Sequence, residues 1–176
     1  KEIGKTANAD SSQGQKAVSL GIPALLEALG KNAKTEEGAL SLANALDSHK
    51  NDKVDDIEGF LKSVDTEEGS KILSHILGGN NQKVQKNLAA QTGLKDNQVQ
   101  DIMKQLAPLL LGTIGKQKAS KNVASSGLEG MLSGMLEVQK SKNSGIMDSV
   151  TKMLDSDNDG SVADDIGKML GGFFKK

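Results

Sequence analysis

The chain has 176 residues, a formal net charge of −1, no cysteine and only three aromatic residues, Phe60, Phe173 and Phe174. That length suits one domain, or one domain with an appendage, and a core that must be built from Leu, Ile, Val, Ala and Met. Balanced charge leaves no footprint for a nucleic-acid backbone, scarce aromatics leave no stacking platform for bases or sugars, and missing thiols remove disulfides and thiolate metal sites.

No apolar run reaches the roughly 20 residues that span a bilayer, so no transmembrane segment is expected. The opening KEIGKTANAD has no hydrophobic signal region, and the absence of an initiating Met places the start of the protein upstream of Lys1. Without cysteine chemistry the compartment stays open: cytoplasm is favoured, with secretion or the cell envelope as alternatives.

In chain order, the first long element runs through Ala17, Val18, Gly21, Leu25 and Leu29, a helical stripe. It returns 85 positions later. Without a gap from Ile3 to Lys31, Gln13, Gln15, Pro23, Leu25, Leu26, Gly30 and Lys31 meet Gln98, Gln100, Pro108, Leu110, Leu111, Gly115 and Lys116. The second stripe is Val99, Ile102, Met103, Leu106, Leu110 and Ile114. Each helix carries one of the chain's two prolines about halfway along, which predicts a bend or break, and apolar residues on all sides there predict burial.

TEEGALSLANAL from Thr35 and TEEGSKILSHIL from Thr66 read as helix starts, with Thr as cap and two glutamates where exposed amides favour negative charge. Between them Val54, Ile57, Leu61 and Val64 space out a short helix, and the acids around Asp55 and Asp56 read as loop and cap. GGNNQKVQKNLAAQTG reads as a turn, then a helix through Val84 and Leu88 that stops at Gly93. In the first copy the equivalent short helix would begin before Lys1, which predicts an N-terminus that is frayed or supported by a partner. Nothing alternates with period two, so no strands are expected.

After Lys116 a polar stretch, KQKASKNVASSG, reads as a linker. Leu128, Met131, Leu132, Met135 and Leu136 then share one side of a Gly- and Met-rich helix, a stripe that favours core packing and could also serve an adaptable partner surface.

The acidic stretch DSDNDGSVADD is the one candidate ion site. With Asp155 as the first position of an EF-hand-like loop, Asp155, Asp157 and Asp159 supply carboxylates, Gly160 the turn and Ser161 a carbonyl. Hard oxygens point to calcium. The position of the usual bidentate Glu is Ile166, so Asp164 or Asp165 must close a shortened loop, or waters must complete it. The alternative is a plain turn in which Ser161 caps the following helix and Asp164 completes a capping box. Flanking helices are expected through Met147, Val150, Met153 and Leu154, and through Val162, Ile166, Met169 and Leu170.

No catalytic residue is assigned. The only histidines are His49, expected in a polar loop, and His75, expected on a helix, and surface or cap roles fit both better than catalysis.

The segments KAVSLGIPALLEALGKNAKTEEGALSLANALDSH, ILSHILGGNNQKVQKNLAAQTGL and LAPLLLGTIGKQK together resemble the YidB-like family of bacterial proteins of unknown function, and LDSDNDGSVADDIGKMLGGFF resembles the acidic C-terminal segment of many members. The resemblance implies a multihelical fold and a bacterial source, and supplies no catalytic residue. The expectation is an all-α protein: a duplicated helical domain of Pro-kinked helix pairs over 1–117, a linker and Gly/Met-rich helix over 118–143, and a helix–acidic loop–helix hairpin over 144–176. The expected function is a non-enzymatic structural or protein-interaction module, self-associating through its C-terminal Gly/Met-rich helices and stabilised by calcium, with no nucleic-acid partner. The alternative is a metal-dependent enzyme built on the acidic loop.

Overall fold

The computed structural model describes residues 2–142 and Val150. Its helices are α1 (Glu2–Thr6), α2 (Ser11–Asn32), α3 (Glu36–His49), α4 (Ile57–Ser63), α5 (Thr66–Leu77), α6 (Asn81–Thr92), α7 (Asp96–Ser120) and α8 (Leu128–Lys142), with 3₁₀ turns at Gly78–Asn80 and Ser125–Gly127. No strand occurs among the described residues, and the fold is all-α and multihelical.

Local chemistry sets most boundaries. Asp10 caps α2 by accepting from the Ser12 amide at 2.8 Å, and Thr35 caps α3 by accepting from the Gly38 amide at 3.1 Å. At α5 the cap is Asp65 rather than the expected Thr66, which becomes the first helical residue. A carboxylate one position earlier accepts from both the Glu67 and Glu68 amides, and its charge suits the helix N-terminus better than a hydroxyl does. Asp56 caps α4, and Gly93 ends α6 in the left-handed region at φ 72°.

Both long helices run unbroken through their prolines. Pro108 deprives the Lys104 carbonyl of its helical amide, and α5 covers that carbonyl with Gly69. A Cβ on Gly69 would lie 2.0 Å from the Lys104 oxygen, so only glycine lets α5 approach this closely. On the neighbouring side Gly115 meets α3, where a Cβ would lie 2.3 Å from the Leu46 carbonyl oxygen. Pressed by α3 and α5 along its length, α7 has no room to break.

The helices pack crosswise. α3 follows α2 but lies along α7, whereas α8 follows α7 but lies along α2. Short helices behave likewise, since α1 touches both α2 and α7, and α6 touches both α7 and α2. Hydrogen bonds repeat the exchange: Gln13 of α2 donates to the Gly93 carbonyl at 3.1 Å, and Gln98 of α7 donates to the Asn8 carbonyl at 2.7 Å. Asn8, like Gly93, has positive φ, at 50°. Near the middle of the crossing Gly21 packs on Leu106 and Met103.

One hydrophobic cluster holds all of this together, with Leu25, Leu29, Leu46, Leu88, Ile102 and Leu106 almost fully enclosed. Leu128 and Leu132 of α8 enter the same cluster, as does Val150, and Met131, Met135 and Leu136 pack half-buried against it. The polar stretch expected as a linker is helical as far as Ser120, because Lys118 turns inward and its ammonium donates to Asp47 of α3 at 2.8 Å. Ile3 and Ala7 at the N-terminal end are buried.

Candidate functional site

α3 and α5 both lie on α7 and on the C-terminal end of α2, and their backbones leave a gap between them that only side chains at the lip approach across. The gap is a half-open groove of about 740 Å³. Its floor and walls carry Ala28, Leu29, Leu42, Ala45, Ile72 and Ile76, and the Asn32 amide ties its floor to α5 by donating to the Ile76 carbonyl at 3.3 Å. Such a volume, apolar below and polar at the lip, suits a bound ligand or a docked helix.

Polar side chains edge the lip. Lys71 and His75 stand one turn apart on α5, Ser41 and Glu37 face them from α3, and Lys31 closes the α2 end, held near Glu27 at 3.6 Å. One oxygen of Glu27 is buried without a hydrogen-bond partner. His75 Nε2 lies 3.4 Å from Ser41 Oγ, both residues being exposed. His49 is not in a loop as expected: it is the last residue of α3, half-buried, with Nδ1 2.9 Å from Asp52 Oδ2.

These groups do not converge on one reacting atom. A nucleophile needs its base, and the base needs an orienting partner. Ser41 has His75, but no carboxylate holds the other nitrogen of His75 among the described residues. His49 has its carboxylate but lies eight residues along α3 from Ser41, roughly 12 Å at helical rise. A second hollow of about 510 Å³ opens beyond His49, between Asp52, Asp56, Phe60, Val64 and Glu68.

Two carboxyls are electrostatically set. Hydrogen bonds from Ser12 hold Asp10 below the usual aspartate range, and the Lys118 ammonium, donating to Asp47, does the same there. No cluster of three or more His, Asp or Glu that could hold a metal occurs among the described residues. The candidate calcium ligands Asp155, Asp157, Asp159, Ser161, Asp164 and Asp165 lie outside the described residues. No helix among those described is long and apolar enough to cross a membrane.

Sequence reasoning missed the groove. Its one local trace is the shared TEEG opening of α3 and α5, which marks two similar helices without saying that they flank a gap.

The molecule is thus a multihelical all-α protein whose described residues form a half-open inter-helical groove. It belongs to the family of bacterial proteins of unknown function designated DUF937, whose model matches residues 1–117. The C-terminal stretch with the acidic loop lies beyond that match. Neither a curated protein nor a solved structure matches the chain.

Proposed function

We propose that this protein is a non-enzymatic bacterial interaction module that receives an amphipathic helix in the groove between α3 and α5. The observation that carries the reading is the groove itself, whose walls are rigid helices already anchored on α7 and whose apolar floor is reachable from outside. Helix-in-groove recognition needs such a trough, with anchors one turn apart. The scattered Ser41–His75 and His49–Asp52 pairs support the non-enzymatic side of the reading, because neither completes a nucleophile–base–orienter set.

Gene duplication is the origin we assign to the scaffold. In its support, Ser11 and Asp96 open their helices at matching positions of the repeat, Asn8 and Gly93 take the same left-handed conformation, and Gln13 and Gln98 make reciprocal bonds. The acidic loop we assign to calcium, with Asp155, Asp157, Asp159, Ser161 and Asp164 or Asp165 as ligands; three carboxylates within five residues repel one another until a cation neutralises them.

Titrating a fluorescent, designed acidic amphipathic helical peptide into the full chain tests the groove. Saturable binding is expected, weakened at least ~10-fold by Ala45→Trp, which fills the floor. Equal binding by Ala45→Trp and the parent would remove the groove from the account. Light scattering after size-exclusion chromatography, with calcium and with chelator, tests self-association and ion dependence; identical mass and melting temperature in both would dismiss the calcium assignment.

A further inference from the structure

α3 and α5 each rest on α7 and α2, and among the described residues one hydrogen bond joins them directly, between His75 Nε2 and Ser41 Oγ at 3.4 Å. The bond crosses the groove at its lip. On α3, Ser41 stands one turn from Gly38 and one turn from Ala45, and on α5 His75 stands beside Ile72 and Ile76, all of them lining the groove. The bridge therefore lies partway along both walls, over the apolar surface that an amphipathic helix needs. Charged groups nearby face other partners, Lys31 toward Glu27 and His49 toward Asp52.

Such a bridge is easily opened. Both side chains are exposed, so water competes for each, and 3.4 Å is long for a hydrogen bond. It carries none of the fold, because Gly69 seats α5 on α7 and Gly115 lets α3 lie there independently. Parting needs only the rotation of two surface side chains, a motion that exposed residues make freely.

We propose that Ser41 and His75 form a strap across the groove: shut in the free protein, it narrows the mouth, and an incoming helix seats only after the two side chains part. The inference rests on the groove being a helix seat. Its consequence is an inverted sign. Removing a group that touches the occupant weakens binding, whereas removing either half of a strap strengthens it, because a larger fraction of the protein is then ready to bind.

The designed peptide of the groove test is titrated into the full-length parent, Ser41→Ala, His75→Ala and the double variant, at about pH 8 to keep imidazole charge out of the comparison. Each single change should tighten binding roughly 2–10-fold, the range open to one surface hydrogen bond. The double should gain no more than either alone, because each change removes the whole strap. Alanine at these exposed helical sites favours the helix, so folding is kept. The chain has only two histidines, so His49→Gln assigns the imidazole resonances of His75, which report the strap without any affinity. Ser41→Ala should shift them, and peptide added to the parent should shift them the same way. Equal or weaker binding by the single variants overturns the proposal, as do a fully additive gain in the double and His75 resonances that Ser41→Ala leaves in place. If the strap fails while the peptide still binds and Ala45→Trp still weakens it, the groove stands alone; if no peptide binds, both readings fall.

Discussion

Gly69 and Gly130 are the same residue put to opposite uses. Gly69 lets α5 lie on the α7 backbone, so Gly69→Ala forces a methyl onto the Lys104 carbonyl and should destabilise by roughly 1–3 kcal/mol or more. Gly130 is exposed in α8 with nothing within 4 Å of a built Cβ, so Gly130→Ala should stabilise by about 0.5–1 kcal/mol through a less flexible unfolded chain. Urea midpoints measured at unchanged slope separate the two. Lys118 poses the other residue-scale question, since its largely buried ammonium has Asp47 as partner. The folded carboxyl of Asp47 lies below its ordinary 3.8, so the stability it adds is present above that value and lost as pH falls through the folded pKa. In Asp47→Asn the loss of stability on acidification below about pH 4 should be shallower than in the parent. Superimposable acid-unfolding curves would mean that the pair contributes nothing.

At the scale of helices, the readable parts were those whose causes are local. A cap, an apolar stripe and a terminal glycine sit within a few residues of what they fix, which is why α3, α6 and the two proline-bearing helices could be read from spacing alone. What could not be read depends on partners far along the chain. The last turn of α7 looks like a linker until Lys118 meets Asp47, 71 residues away. A break at either proline looks natural until the packing on both flanks is known. The groove is less legible still, because it results from α3 and α5 packing on α7 and α2 rather than on each other, touching only at the lip through Ser41 and His75, and no local pattern encodes that spacing. The role of α8 falls between these cases. Its Met-rich stripe suited both a core and a partner surface, and Leu128 and Leu132 place it in the main core. Leu132→Ala should therefore lower the global unfolding free energy by roughly 2–5 kcal/mol, the same range expected for Leu46→Ala in α3, within one cooperative transition. An unchanged main transition with a separate early loss of helicity would make α8 an appendage.

Whole-molecule behaviour follows from crossed packing. Each long helix is covered by the helix that follows the other one, α3 on α7 and α8 on α2, so neither half buries all of its own apolar faces. Residues 1–50 are a marginal length for a core that lacks its partners, and residues 51–176, though 126 long, lose α2 and α3 from the faces of α7 and α8. Breaking the chain between Lys50 and Asn51, in the turn after α3, separates α1–α3 from α4–α8 and strips α2 of its place against α7. Neither fragment should melt cooperatively by circular dichroism. Mixed at equal amounts, they should regain helicity and a single transition whose midpoint rises with concentration, as mass action requires of an assembly that folds by binding. Native mass spectrometry should show the one-to-one complex. A sharp, concentration-independent melt of residues 51–176 alone would place the folding unit in the second half and reduce α1–α3 to a cover over it.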